Sequence, residues 1–267
     1  MEARKRLREL VESDEILILP GAYDALSARL AEAAGFSCVY MTGYGQSASK
    51  LGQPDVGLMT MSEMAERAAD MVMAVNVPVI CDADTGFGNN VNIVRTIREY
   101  ERTGVAAIQL EDQTMPKKCG HMLGRDVIDA QEMVMKLKAA IAARTDPDFL
   151  IIARTDARTR YGIDEAIRRG RLYAEAGADV VFVESVESVE EMCRVNEEIP
   201  TRTIVNMVET GRTPLLTARE LQDIGYDMVV FPISTLLVAA KAAYDMLADL
   251  QANGTTKNYM DRMMSFS

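Results

Sequence analysis

Two short segments gather most of the side chains able to do chemistry. In CDADTGFGNN (residues 81–90), Asp82 and Asp84 stand two positions apart, so an extended chain points both the same way. Carboxylates held together repel unless a cation lies between them. Oxygen-only ligands favour Mg²⁺ or Mn²⁺, and Mg²⁺ keeps several of its waters. Glu111, on the next strand, and Asp55, in LGQPDVG, can complete such a site. The competing reading is an Asx-turn in which Asp82 or Asp84 caps the helix beginning at 89. The second segment is EDQTMPKKCGHMLGRD (111–126), with Lys117, Lys118, Cys119 and His121, the chain's single histidine. Cationic neighbours lower a thiol pKa and predict a thiolate at Cys119 near neutral pH. Such a cysteine suits a general acid or base, or a covalent nucleophile, since Cys–His pairs do that work too. An exposed loop with an incidental cysteine is the alternative. The segment's length and glycines predict a mobile lid.

Arg154, at the tip of FLIIAR, needs an anion. A substrate carboxylate held in bidentate geometry would serve, and so would a structural pair with Asp156 or Glu184.

These residues need elements to position them. Strands are expected at 16–19, 38–41, 77–82, 106–111, 149–154, 179–184, 202–207 and 227–232, as short apolar, β-branched runs. Amphipathic helices are expected at 23–34, 62–75, 89–103, 129–143, 163–176, 188–198, 217–224 and 234–250, with a further helix before residue 15. Strict βα alternation with strands apolar on both faces predicts a (β/α)8 TIM-like barrel formed by one domain, 1–267, since no linker divides the chain. An open doubly wound sheet is second, but no GxGxxG follows the first strand. Active sites of such barrels lie at the C-terminal ends of the strands. Those ends carry Thr42-Gly43-Tyr44, Asp82 and Asp84, Glu111-Asp112, Arg154 and Asp156, Glu184, Asn206 and Pro232. So many polar ends in register are hard to explain as loop starts. The tail over 255–267 reads as cut short or poorly ordered.

Composition narrows the partners. Of 267 residues 48% are hydrophobic, and 29 basic against 40 acidic residues give a net charge of −11, which disfavours nucleic acid and anionic membrane surfaces. No apolar run approaches the ~18–20 residues of a membrane span. The N-terminus has no apolar signal-peptide core. Four scattered cysteines fit neither a disulfide framework nor a zinc site, and indicate a reducing, cytoplasmic setting.

PGAYDALSARLAEAAGF, TGYG, LGQPDVG, DADTGFGN, EDQTMPKKCGH, ARTDAR and NMVETGRTPL together resemble the isocitrate lyase and phosphoenolpyruvate mutase superfamily, above all its 2-methylisocitrate and 2,3-dimethylmalate lyases. The resemblance spans residues 10–262. It implies a tetramer whose last helix swaps between subunits, and Mg²⁺ near Asp82 with Asp84, Asp55 and Glu111 reached directly or through water. It also implies a substrate carboxylate on the Thr42-Gly43-Tyr44 amides and Arg154. Lys117, Gly120, His121, Glu184 and Asn206 would complete a binding site for a small 2-hydroxy or 2-oxo acid. The implied reaction is Mg²⁺-dependent C–C cleavage to pyruvate and a carboxylic acid, with Cys119 protonating the carbanion and Tyr44 receiving the hydroxyl proton. Met122 stands where methylisocitrate lyases carry Arg, which favours a substrate with two carboxylates. Pro232 stands where oxaloacetate hydrolases tend to carry Ser. Phosphonomutation of the phosphoenolpyruvate or carboxyphosphonoenolpyruvate type remains an alternative, as does oxaloacetate hydrolysis.

Overall fold

Eight parallel strands close in chain order into one barrel in the computed structural model, which describes residues 2–265. They are β1 Leu17–Ala22, β2 Val39–Met41, β3 Val79–Asp82, β4 Ala107–Glu111, β5 Leu150–Thr155, β6 Val180–Val183, β7 Arg202–Asn206 and β8 Met228–Phe231. Every strand lies on a segment where the apolar runs predict one. The helices between them also fall where expected, from Ala25–Ala33 to Ser234–Asn253. Glycines end several of them: Gly104 (φ 88°) and Gly225 (φ 116°) take the left-handed conformation that turns a helix toward the next strand.

Two hydrophobic layers follow from the two-residue period of a strand. Tyr40, Ile80, Ile152, Phe182, Ile204 and Val230 fill the barrel interior. Their neighbours Met41, Cys81, Ile151, Val181, Val205 and Val229 pack outward beneath the helices. The parity matters for function, because two residues beyond each interior position lies a strand end. Thr42, Asp82, Arg154, Glu184, Asn206 and Pro232 therefore inherit the inward direction. Asp112 has the opposite parity, and is held behind the sheet by Tyr173, Thr155 and Arg169.

The N-terminal helix, Glu2–Val11, packs Leu7 and Val11 with the barrel interior. Three elements escaped the sequence pattern: Gly43–Gln46, running into a π-helical turn at Ser47–Leu51, and Arg158–Tyr161 after β5. The tail corrects another expectation, since Lys257–Arg262 forms a 3₁₀ helix. Residues 266 and 267 lie outside the described residues. None of the residues of Ser234–Asn253 is buried in the single chain. No described helix is long and apolar enough to cross a membrane.

Candidate active site

A cavity of about 300 Å³ opens at the C-terminal ends of the strands. Tyr40, Thr42, Tyr44, Asp55 and Asp82 line one side, and Arg154, Glu184 and Asn206 another. The 113–127 connection, which a bridge between Gln113 and Val127 pins at its base, brings Cys119, Gly120 and His121 over them. Phe182, Val208, Val230, Pro232, Ile233 and Leu237 add an apolar wall. Eleven of the residues singled out from sequence thus meet in one place. Gly43 touches it indirectly: a Cβ there would stand 2.5 Å from Asp82 Oδ2, so only glycine admits that carboxylate.

Arg154 is held, not free. Its Nε and Nη2 donate to Asp156 Oδ2 and Oδ1, both at 2.9 Å. Glu111 Oε2 stands 3.4 Å from its Nη1, and Glu184 Oε2 stands 3.5 Å from the same Nη2 that reaches Asp156. The structural pair weighed against a substrate carboxylate therefore exists, and the guanidinium also lines the cavity. Glu184 receives hydrogen bonds from Ser185 N (2.7 Å) and Asn206 Nδ2 (3.1 Å). Burial works against its charge, but Arg154, His121 and Arg125 outweigh it and hold the carboxyl at about 2. His121 sits 3.4 Å from Glu184, and burial lowers its pKa, so the ring is neutral near pH 7 and carries charge toward Glu184 only in acid. Its Nδ1 accepts from Arg212 N, which puts the remaining ring proton on Nε2.

Lys117, Asp84 and Glu111 do not line the cavity; they lie behind its wall. The Lys117 ammonium pairs with Asp84 and with Asp55 (2.6 Å), so it serves these carboxylates and not a substrate. Around the cavity Asp55, Asp82, Asp84, Glu111, Asp156 and Glu184 face only Lys117, Arg154 and Arg125. Six carboxylates against three cations leave a deficit of positive charge. Burial, with Asp82 and Asp55 nearby, pushes Asp84 up to about 6 despite Lys117. Burial drives Glu111 well above the ordinary range, and its Oε1 is buried without a hydrogen-bond partner. Among the described residues no three Asp, Glu, His or Cys side chains converge to hold an ion directly. This leaves contact through water as the way most of these carboxylates would reach an ion. It fits Mg²⁺, which takes one or two carboxylates and reaches others through water. Asp82, which faces the cavity, would hold it.

Cys119 departs from expectation in its charge. Lys117 points to Asp55 and Asp84, and Lys118 Nζ donates to Gly124 O, so neither cation reaches the thiol. Burial raises its pKa, Asp55 and Glu184 raise it further, and the His121 backbone and Arg154 lower it only in part. Cys119 is therefore a thiol near neutral pH and suited to give a proton. Met122 is 42% exposed and does not line the cavity, whereas Pro232 does line it.

Sequence reasoning missed Arg125 and Ser185. Arg125 is buried and donates to Asp156, Thr159 Oγ1 and Met122 O (3.0 Å). Ser185 Oγ donates to Gly120 O at 2.7 Å. The only signal for Arg125 was a charge inside an otherwise polar loop, and Ser185 had none.

A thiol, a guanidinium and a field of carboxylates at the mouth of a closed parallel barrel are the marks of an α/β-barrel enzyme. A family model for phosphoenolpyruvate phosphomutase matches residues 7–251, and the chain belongs to that family. It is 57% identical over 267 residues to the 2,3-dimethylmalate lyase of Eubacterium barkeri, covering 100% of this chain and 92% of that one. It is 44% identical to the 2-methylisocitrate lyase of Aeropyrum pernix, covering 96% and 82%. A crystal structure of 2,3-dimethylmalate lyase superposes with TM-score 0.93 at 38% identity, covering 98% and 88%. One of phosphonopyruvate hydrolase with oxalate and Mg²⁺ gives 0.89 at 31%, covering 100% and 93%. The chain is a lyase of this superfamily.

Proposed function

We propose that the chain is a Mg²⁺-dependent lyase that cleaves the C2–C3 bond of a 2,3-dimethylmalate-like acid, giving pyruvate and a monocarboxylic acid. The observation that carries this reading is the protonated Cys119 thiol facing, across one cavity, the Arg154 guanidinium and an apolar wall that can take methyl groups. In this reading the Thr42-Gly43-Tyr44 turn and Arg154 orient the carboxylate on C2. Tyr44 takes the C2 hydroxyl proton as it passes its own phenolic proton on to solvent, and the C2–C3 electron pair passes to C3, where the second carboxylate delocalises it. Cys119 gives its proton to C3, completing the acid product, and the lid keeps competing water away. Bound Mg²⁺, near Asp82 with Asp55, Asp84 and Glu111 around it, supplies electrostatic stabilisation of oxygen charge. Asn206 and Glu184 face the leaving part of the substrate, with His121 and Gly120 above.

2-Methylisocitrate is the second candidate substrate, supported by the 44% identity to a lyase of that acid. Pro232 in the wall weighs against oxaloacetate hydrolysis. The last helix, none of whose residues is fully buried, supports a homotetramer with helix exchange, and the acidic chain with its four free cysteines supports a cytoplasmic setting. The test is pyruvate release from 2,3-dimethylmalate and from 2-methylisocitrate with Mg²⁺ present. Release from the first at the higher kcat/KM is expected. Release from neither refutes the lyase reading, and oxalate plus acetate from oxaloacetate would replace it with a hydrolase.

A further inference from the structure

Arg125 and Ser185 touch no part of the cavity, yet they join the lid to two of the charged groups inside it. Resting on the lyase reading above, we propose that they are positioning residues: a latch that holds the 113–127 loop shut and, in the same act, sets the orientations of Arg154 and Glu184.

The geometry for Arg125 runs in two directions. Its Nε donates back to Met122 O at 3.0 Å, which keeps the turn after Cys119 folded. Its Nη1 pairs with Asp156 Oδ1, the same oxygen that receives Arg154 Nη2 at 2.9 Å. Asp156 is thus shared by two guanidinium groups, and the loop's cation draws off charge that would otherwise bind Arg154 alone. When the loop is shut, Arg154 is fixed in direction and less fully neutralised. Lifting the loop removes both effects.

Ser185 does the equivalent for Glu184. Its backbone is left-handed (φ 60°), an unusual state for serine, and this turns both its N–H and its hydroxyl toward the Glu184 carboxylate, at 2.7 and 3.1 Å from Oε1. The hydroxyl carries one hydrogen but has two acceptors, Glu184 Oε1 and the lid carbonyl Gly120 O at 2.7 Å. With the loop shut the hydrogen goes to Gly120 O, and Arg125 Nη2 donates to Ser185 Oγ at 3.4 Å. With the loop raised the hydrogen returns to Glu184. The state of the lid is read directly by the carboxylate's hydrogen bonding.

The test measures alkylation of Cys119 by iodoacetamide in the intact protein, with half-buried Cys193 as internal reference. Ser185→Ala should speed the Cys119 reaction about tenfold, the worth of one or two lost hydrogen bonds. Arg125→Lys, which keeps the charge but loses the planar fork, should do the same to a smaller degree. Neither should alter Cys193, and both should lower kcat by more than they raise KM. Wild-type alkylation of Cys119 in both variants overturns the latch. So does an equal rise at Cys193, which would mark general loosening. The alkylation needs no turnover, so a protein that releases no pyruvate yet shows the Cys119 response would sink the lyase reading and leave the latch standing.

Discussion

Gly120→Ala puts the closed lid under a measurable load. Gly120 has an ordinary backbone conformation, so alanine meets no φ penalty there. Its added Cβ would stand 2.6 Å from Arg154 Nη2 and 2.7 Å from Glu184 Cδ and Oε2, against the 3.4 Å at which ordinary contact begins. The shortfall is 0.7–0.8 Å on two sides at once. Neither neighbour can swing away cheaply. Arg154 is held by two bonds to Asp156, and Glu184 by Ser185 and Asn206. Overpacking of this kind costs about 1–3 kcal/mol. Charged against the closed state alone, that is a loss of roughly 5- to 150-fold in kcat/KM. The folded barrel should be almost as stable as before, because the lid can lift. Gly35→Ala is the matched control. Nothing lies within 4 Å of its would-be Cβ, but its φ is +94°. It should cost about 1–2 kcal/mol of stability and leave kcat/KM alone. Steady-state pyruvate release and urea unfolding on the two variants decide the matter. Wild-type kcat/KM in Gly120→Ala would refute the close-packed lid, and so would equal activity losses in both.

Three further outcomes follow from the same contacts. Cys119→Ser should lower kcat by about 10²–10⁴-fold, the usual worth of a positioned acid, with an unchanged circular dichroism spectrum; a variant turning over at the wild-type rate would end the acid role. Glu184, held at about 2 against an ordinary 4.5, contributes stability that is complete above the ordinary value and is lost as pH falls from there toward 2. The size is on the order of 3 kcal/mol, so urea midpoints should drop across that window in the wild type and by less in Glu184→Gln; equal slopes would contradict it. Arg4→Ala, which removes bonds to Val105 O (3.1 Å) and Asp146 (3.0 Å) under the barrel floor, should cost about 2–3 kcal/mol of stability with no change in kcat, and a loss of activity at constant stability would show that the floor communicates with the mouth.

The barrel was legible because strand geometry is rigid. A run such as FLIIAR has one period, so Ile152 inside requires Arg154 inside, whatever the rest of the chain does. That single rule carries Thr42, Asp82, Arg154, Glu184 and Asn206 into one cavity from five separate strands. The short turns at Gly43–Leu51 and Arg158–Tyr161 were not legible, since neither is long enough to show a helical period. Lys117 and Cys119 show where the rule stops. They are two residues apart, but in a loop that spacing has no fixed direction, and the ammonium turns to Asp55 and Asp84 while the thiol faces Arg154's cavity. Arg125 and Ser185 lie 60 positions apart and meet only because the loop folds back across the barrel mouth.

The same distinction bears on the proposed role of Cys119. A base reading of the thiol needs a cation within reach, and the nearest lysines in sequence are both committed elsewhere. Arg154 is the one cation that acts on the sulfur, and burial with the carboxylates of Asp55 and Glu184 outweighs it, so a thiolate is disfavoured. Negative charge arriving with the substrate deepens that preference, because each added carboxylate makes the proton harder to remove from sulfur until a carbanion is there to take it. A site this short of positive charge would make a poor cysteine nucleophile. In the proposed reaction it would hold a proton in reserve, for the one centre whose basicity rises when the carbon–carbon bond breaks.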